Sequence, residues 1–324
     1  MTLLDPTYIR DNCDYSFGDQ SGAGIYRGYM KYANIHNSEF ISKYNEALNK
    51  GHLFMTLFID NIRLYKRDGI KYTAMEQMNQ SARDYKDKVV RELMMTNNLL
   101  ELCSQLPNMK FVIFTGFEDT PIDDEIYDKI PDNVIGIYAS NAISFGGKVV
   151  PIPYGIQRML YVSDIRQEIL KKLIESNDEP TKLLYLNHSI SNNPERMNLN
   201  SNFEGKTWAT IKTPISIDPV NYFNFLRDIK SHKFMICPDG NAIGCECHRD
   251  WEVLYMRRVP VVKRSKYLEY IFKDFPVLFV DKFSDVTEEL LLNNDHLYLE
   301  AQNLDLAKLD MSKIYNDIIN NLKK

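Results

Sequence analysis

The sequence predicts an α/β protein of two domains in tandem, each built on a parallel sheet, and three observations lead there. At 324 residues the chain exceeds what one hydrophobic core usually serves, so two domains of about 150 residues are expected. Short β-branched, apolar runs alternate with longer amphipathic stretches through both halves, which is the pattern of parallel α/β folding. A content of 44% hydrophobic and 26% charged residues is ordinary globular usage and excludes a mainly disordered or fibrous chain.

The strands expected in the first half are His52–Asp60, Lys110–Gly116, Asn133–Asn141 and Lys148–Pro153. Each is a run of Val, Ile, Phe and Leu of strand length, bounded by turn residues. Between the first two, the amphipathic stretch Ala74–Leu106 reads as helix, its Met75, Met78, Leu93, Met94, Leu99 and Leu102 assigned to core packing. Pro151–Gly155, the helical pattern Asp164–Ser176 and the polar Asn177–Thr181 read as a connection between domains. A second series then follows, with strands at Lys182–His188, Thr207–Ile211, Lys233–Cys237, Val259–Lys263 and Val277–Asp281. Helices are expected at Pro219–His232 and Glu246–Arg257, and Asp305–Leu322 closes the chain as an amphipathic helix. The expected division is 1–155, a connection 156–181, 182–304, and a C-terminal helix 305–324 that packs back on the first domain. Two Rossmann-like domains place ligands at the carboxyl ends of their strands, in a cleft between them.

A net charge of −5 argues against a whole-surface attraction to nucleic acid or anionic membrane. Asp5, Arg10, Asp11 and Asp14 interrupt any apolar signal-peptide core, and no run approaches the roughly 18 apolar residues of a membrane span, so a cytoplasmic protein without a membrane span is expected. Cys13, Cys103, Cys237, Cys245 and Cys247 are odd in number and form no CxxC pair, which suits reduced thiols. Cys245, Cys247 and His248 invite a zinc reading, but a structural site needs a second ligand pair and none is evident.

The chemistry concentrates in Ser231–Arg264. A strand ending at Cys237, a loop Pro238–Gly244 and a helix opening around Glu246 make a unit that can receive a phosphate. Gly240 and Gly244 permit close backbone approach, and His248 and Arg249 fall in the first helical turn, where unpaired N–H groups carry about half a positive charge. Glu252 follows His248 by four residues and Arg249 by three, so all three share a face. A carboxylate there can accept hydrogen bonds from a ribose diol, or can form a surface ion pair with Arg249; spacing alone leaves both open.

The ordered stretch CPDGNAIGCECHRDWEVLYMRRVPVV resembles the donor-binding signature of exostosin-like GT-B glycosyltransferases, including members carried by viruses and phages. The resemblance implies a GT-B fold, two Rossmann-like domains facing across a cleft, with Arg249 on the diphosphate and Glu252 on the ribose of a nucleotide sugar, a UDP-sugar being the expected donor. Leu184–Arg196 (LYLNHSISNNPER) is similar to the first strand and loop of the donor domain, which implies Ser189, Asn193 and Arg196 beside the phosphates. Thr115–Asp119 and Asn141–Gly155 look like acceptor-domain strand ends and the crossover.

No strand-end DxD motif is present, so helix-end and cationic groups are expected to hold the leaving diphosphate, with no metal and no cofactor. An inverting transfer needs a base. Asp19, in the Gly-rich stretch Cys13–Gly24, is the first candidate; Asp60 and the pair Glu118/Asp119 are rivals. The acceptor is expected to be a glycan hydroxyl or a hydroxymethylated pyrimidine in phage DNA, the latter reached by base flipping. A non-catalytic nucleotide or sugar-phosphate binding module and a sugar-nucleotide epimerase remain as alternatives.

Overall fold

A computed structural model describes residues 2–17, 38–59, 99–116, 122–156, 163–176, 178–190, 193–214, 218–240 and 242–324. The chain divides into two compact units. The first comprises Pro6–Pro153 with Tyr315–Lys324; the second comprises Met1–Asp5 with Tyr154–Ile314. Each carries a five-stranded sheet in which every strand pair is parallel.

The first sheet runs β1 (Tyr15–Ser16), β2 (Met55–Ile59), β3 (Phe111–Thr115), β4 (Val134–Ala139) and β5 (Val149–Pro151), in sequential order. β2 and β3 are apolar on both faces, as buried parallel strands must be. Alternation sends Phe111 to one face, where Tyr44 of the helix Ser38–Asn49 stacks on it at 6.4 Å, and Phe114 to the other, where Tyr315 lies at 5.3 Å. Tyr315 also donates its hydroxyl to Asn12 O at 2.7 Å, tying the last residues to the helix Pro6–Asn12. β1 is not among the expected strands; its two residues are too few for a periodicity signal, and pairing with β2 defines it.

The second sheet contains β6 (Lys182–Leu186), β7 (Ala209–Ile211), β8 (His232–Ile236), β9 (Val259–Lys263) and β10 (Leu278–Val280) in the order β10-β9-β8-β6-β7. Leu184, Phe234 and Val259 sit in register, as do Leu186, Ile236, Val261 and Leu278, and these rows form one core with Leu291, Tyr298 and Ala301. Burying each such side chain contributes about 1.5–3 kcal/mol. The helix Pro219–Lys230 begins where Asp218 accepts from Val220 N (3.0 Å) and Asn221 N (3.1 Å), with Pro219 pre-set for the first turn.

Several boundaries differ from expectation. The helix before β8 ends at Lys230 and His232 already pairs with Lys182, because the Ser231 N–H closes back on Arg227 O. The C-terminal helix is interrupted: a 3-10 turn, Leu306–Leu309, precedes the helix Met311–Leu322, since Asp310 accepts from Ser312 N at 3.0 Å and caps a fresh start. Of the expected helix Ala74–Leu106, only Leu99–Ser104 is seen as helix among the described residues. No helix of the described residues is long and apolar enough to cross a membrane.

Candidate functional site

Strand order points to the second unit as the place for a candidate site. The chain passes from β6 to β7 on one side and then returns to β8 on the other, so order reverses between β6 and β8. In open α/β sheets such a reversal leaves a crevice at the carboxyl ends of the two strands. The segments issuing there follow Leu186 and Ile236, and they contain the residues singled out from the sequence.

The two segments are clamped together. Arg196, buried, donates from Nε to Asp239 O (2.7 Å), from Nη2 to Pro238 O (2.7 Å) and from Nη1 to Ser189 O (3.4 Å). Its guanidinium therefore braces main chain, a task that differs from the phosphate contact expected of it. Asn193 likewise caps the turn Pro194–Met197 by accepting from Glu195 N (2.9 Å) and donates to Gly240 O (3.3 Å). Asp239 accepts from Gly244 N (2.7 Å), which closes the loop, and Gly244 holds φ +75°, a left-handed conformation that favours glycine. Gly240 has no such φ; a β-carbon there would meet only Cys247 Cβ at 3.9 Å.

The helix opens at His248 and runs to Tyr255, two residues later than expected. Cys247 precedes it, and Asp250 reaches back to accept from Cys247 N at 2.7 Å, an N-terminal box that sets the start. Burial holds the Asp250 carboxyl up, at about 7. Trp251, buried on the opposite side, packs against Phe272 (4.9 Å) and Phe275 (5.6 Å) and orients the helix.

His248 donates Nδ1–H to Gly155 O (2.7 Å) and lies on the Tyr154 ring at 4.5 Å. A carbonyl can only accept, so the neutral tautomer carries its lone pair on Nε2. Burial lowers its pKa to about 4, with the nearby arginines adding to the effect, so His248 brings no positive charge at neutral pH. The cationic role falls to Arg249. Its Nε is buried without a hydrogen-bond partner and its Nη1 reaches only Cys247 Sγ, at 4.0 Å. Glu252 is buried and accepts from the Tyr222 hydroxyl at 3.0 Å, so it is no surface residue. Arg166 lies over the Tyr222 ring at 4.6 Å. Burial raises the Glu252 pKa, opposed by the Tyr222 hydrogen bond and by Arg249 and Arg166.

Sequence patterning does not single out His188, Tyr222 or Glu246. Glu246 accepts from Tyr154 N and from the Tyr267 hydroxyl at 3.1 Å, and burial raises it to about 8. His188 lies two residues beyond the end of β6, and that strand-end position is the signal that could have found it. Asp19, Asp60, Glu118 and Asp119 lie outside the described residues. Among the described residues no group of three His, Cys, Asp or Glu side chains is arranged to hold a metal ion.

No protein-family model matches the sequence, and no curated protein matches it. Among solved structures the chain is similar to a crystal structure of an alpha1,3-fucosyltransferase, with 16% identity and a TM-score of 0.38, over 62% of this chain and 66% of that chain. A likeness of that degree assigns no activity. The exostosin-like resemblance has no support from a family model or a curated relative.

Proposed function

We propose that the chain is a glycosyltransferase that binds a nucleoside-diphosphate sugar, a UDP-sugar in the first instance, at the carboxyl ends of β6 and β8. The observation that carries this reading is Arg249: a guanidinium with a buried, unpartnered Nε, in the first turn of a helix that opens beside a strand-order reversal, with Glu252 one turn further on. Arg249 is half-buried and Glu252 and Asp250 act on its charge only through space, so a diphosphate would give its unpartnered Nε an acceptor and its charge a directly bonded partner. Glu252 would take the ribose diol. The acceptor oxygen would attack the anomeric carbon, the bond from that carbon to the β-phosphate oxygen would break, and the nucleoside diphosphate would leave with the bonding electrons, stabilised by Arg249 and the helix N-terminus.

The proposal extends to the GT-B arrangement, with the first unit holding the acceptor and Asp19, or failing it Asp60 or Asp119, removing the acceptor proton. A glycan hydroxyl and a hydroxymethylated pyrimidine in phage DNA are the acceptors to offer. The test is a donor panel monitored for nucleoside-diphosphate release with each acceptor, in EDTA and with added Mn²⁺. Turnover in EDTA that falls about 10²-fold or more in Arg249→Ala supports the reading. Tight donor binding with no turnover on any acceptor would favour a non-catalytic module, and release of an isomerised nucleotide sugar without acceptor would favour an epimerase.

A further inference from the structure

His188 stands in an environment that its own fold does not explain. It is 2% exposed, and neither ring nitrogen makes a hydrogen bond of ordinary geometry; the Arg196 main chain is near enough only to favour the charged ring weakly. A buried imidazole in that state forfeits the hydrogen bonds that water supplies in the unfolded chain, and an apolar side chain of similar size would not. Two guanidinium groups act on it electrostatically, Arg249 and Arg196. They differ in kind: Arg196 donates from each of its three nitrogens to a main-chain carbonyl, whereas Arg249 has a buried Nε with nothing to donate to.

The negative groups near Arg249 do not fill the gap. Asp250 is turned to Cys247 N, and Glu252 accepts from Tyr222, so neither carboxylate reaches the guanidinium as an ion pair among the described residues. Two unsatisfied donors, one neutral and one cationic, thus stand at the carboxyl end of β6 and at the start of the helix that follows β8. We propose that His188 and Arg249 together form a phosphate notch, in which His188 donates one ring N–H to a phosphate oxygen whose charge Arg249 neutralises. The inference rests on the donor reading above and adds a residue that neither the motif nor the spacing identified. The imidazole is neutral in the empty site, held at about 4 by burial, so it offers one N–H and one lone pair and makes a directional contact without adding charge.

A residue kept for a ligand differs from a structural one in its effect on the empty protein. His188→Leu removes two unsatisfied polar atoms, so the ligand-free protein should melt at the same temperature or higher. Its affinity for a nucleoside diphosphate should fall about 10- to 100-fold, the loss of a hydrogen bond to a charged oxygen. Calorimetric titrations would use UDP, GDP, ADP and dTDP, taking the tightest forward against its own nucleoside. His188→Leu should leave nucleoside affinity unchanged, and His188→Asn, which retains an N–H donor, should recover part of the lost diphosphate affinity. Arg249→Ala serves as the reference.

Should no nucleoside diphosphate bind the wild type, the donor reading and this inference fail together. If diphosphate binds and depends on Arg249 while both His188 variants bind like wild type, the inference alone fails. A His188→Leu protein that melts several degrees lower, with diphosphate and nucleoside affinity lost in equal measure, would show a structural histidine and overturn it. If that variant does not fold, unchanged diphosphate affinity in His188→Asn, together with an unmoved His188 ring signal on adding ligand, overturns it equally.

Discussion

Gly155→Ala tests how the candidate site is anchored. Gly155 has φ +80°, and a β-carbon built on it would lie 2.2 Å from Leu4 O and 2.8 Å from Leu4 C. Both contacts are with main chain, which cannot rotate aside as a side chain can. The left-handed conformation alone costs an alanine about 1 kcal/mol. Relieving the clash separates the segment of residues 2–5 from 154–156, which breaks the Ile156 N–Leu4 O hydrogen bond of 2.8 Å. Leaving that carbonyl unsatisfied adds about 1–3 kcal/mol. Together the loss is about 2–4 kcal/mol, a large share of the roughly 5–15 kcal/mol of a typical domain. Urea unfolding followed by circular dichroism should show a lower midpoint at unchanged slope. Because Gly155 O also fixes the His248 ring, nucleoside-diphosphate affinity should fall in the folded fraction. A midpoint displaced by less than the equivalent of about 0.5 kcal/mol would refute the close approach and, with it, the claim that this glycine is required.

Two further outcomes are expected. Tyr222→Phe removes the hydroxyl that donates to Glu252 Oε1 and should cost about 1.5–3 kcal/mol at neutral pH; the deficit should shrink as pH falls and Glu252 protonates, and a pH-independent deficit would mean the hydroxyl does not serve the carboxylate. Asp250 and Glu246 keep protons in the folded state up to about 7 and about 8, whereas an unfolded carboxyl releases them near 4, so stability should fall as pH rises from 6.5 to 8. The buried histidines His188, His232 and His248, each lowered to about 4, oppose part of this, because their unfolded rings are still half protonated at pH 6.5 and lose that proton by pH 8, about 0.4 kcal/mol each. At 1.36 kcal/mol per proton per pH unit the two carboxyls lose about 2–3 kcal/mol and the net loss is about 1–2 kcal/mol, and urea midpoints equal at pH 6.5 and 8 would count against it; Glu246→Gln should remove the fall.

What the sequence discloses follows from what periodicity can carry. β2, β3, β6 and β9 are continuous apolar runs ended by turn residues, and patterning places each to within a few residues. Local capping is harder to read: Asp310 restarts a helix that hydropathy treats as unbroken, and Cys247, a poor predictor of a helix start, acquires that role only through Asp250 three residues on. The helix face of His248, Arg249 and Glu252 is legible from spacing, but the states of the three residues are not. Spacing does not reveal that a carbonyl from residue 155 removes any need for charge on His248, or that Tyr222 takes the carboxylate a surface reading would pair with Arg249. Arg196 is the sharpest case, since a charged residue in a loop reads as ligand-facing until three carbonyls are found around it.

Lateral strand order is a further quantity that one-dimensional patterning does not contain, and here it separates two units with the same α/β grammar. The described strands of the first unit follow one another across the sheet in sequence, so no reversal marks a crevice at their carboxyl ends. The second unit inserts its reversal between β6 and β8, and it is beside these two strands that an imidazole and a guanidinium lack partners. Topology and hydrogen-bond accounting are independent of each other: the first depends on backbone pairing alone, the second on individual side-chain atoms. Buried side-chain atoms without a partner also lie at the carboxyl ends of β3 and β4 in the first unit, at Thr115 Oγ1 and Ser140 Oγ, so strand order is what favours the second unit as the place to test for a nucleotide.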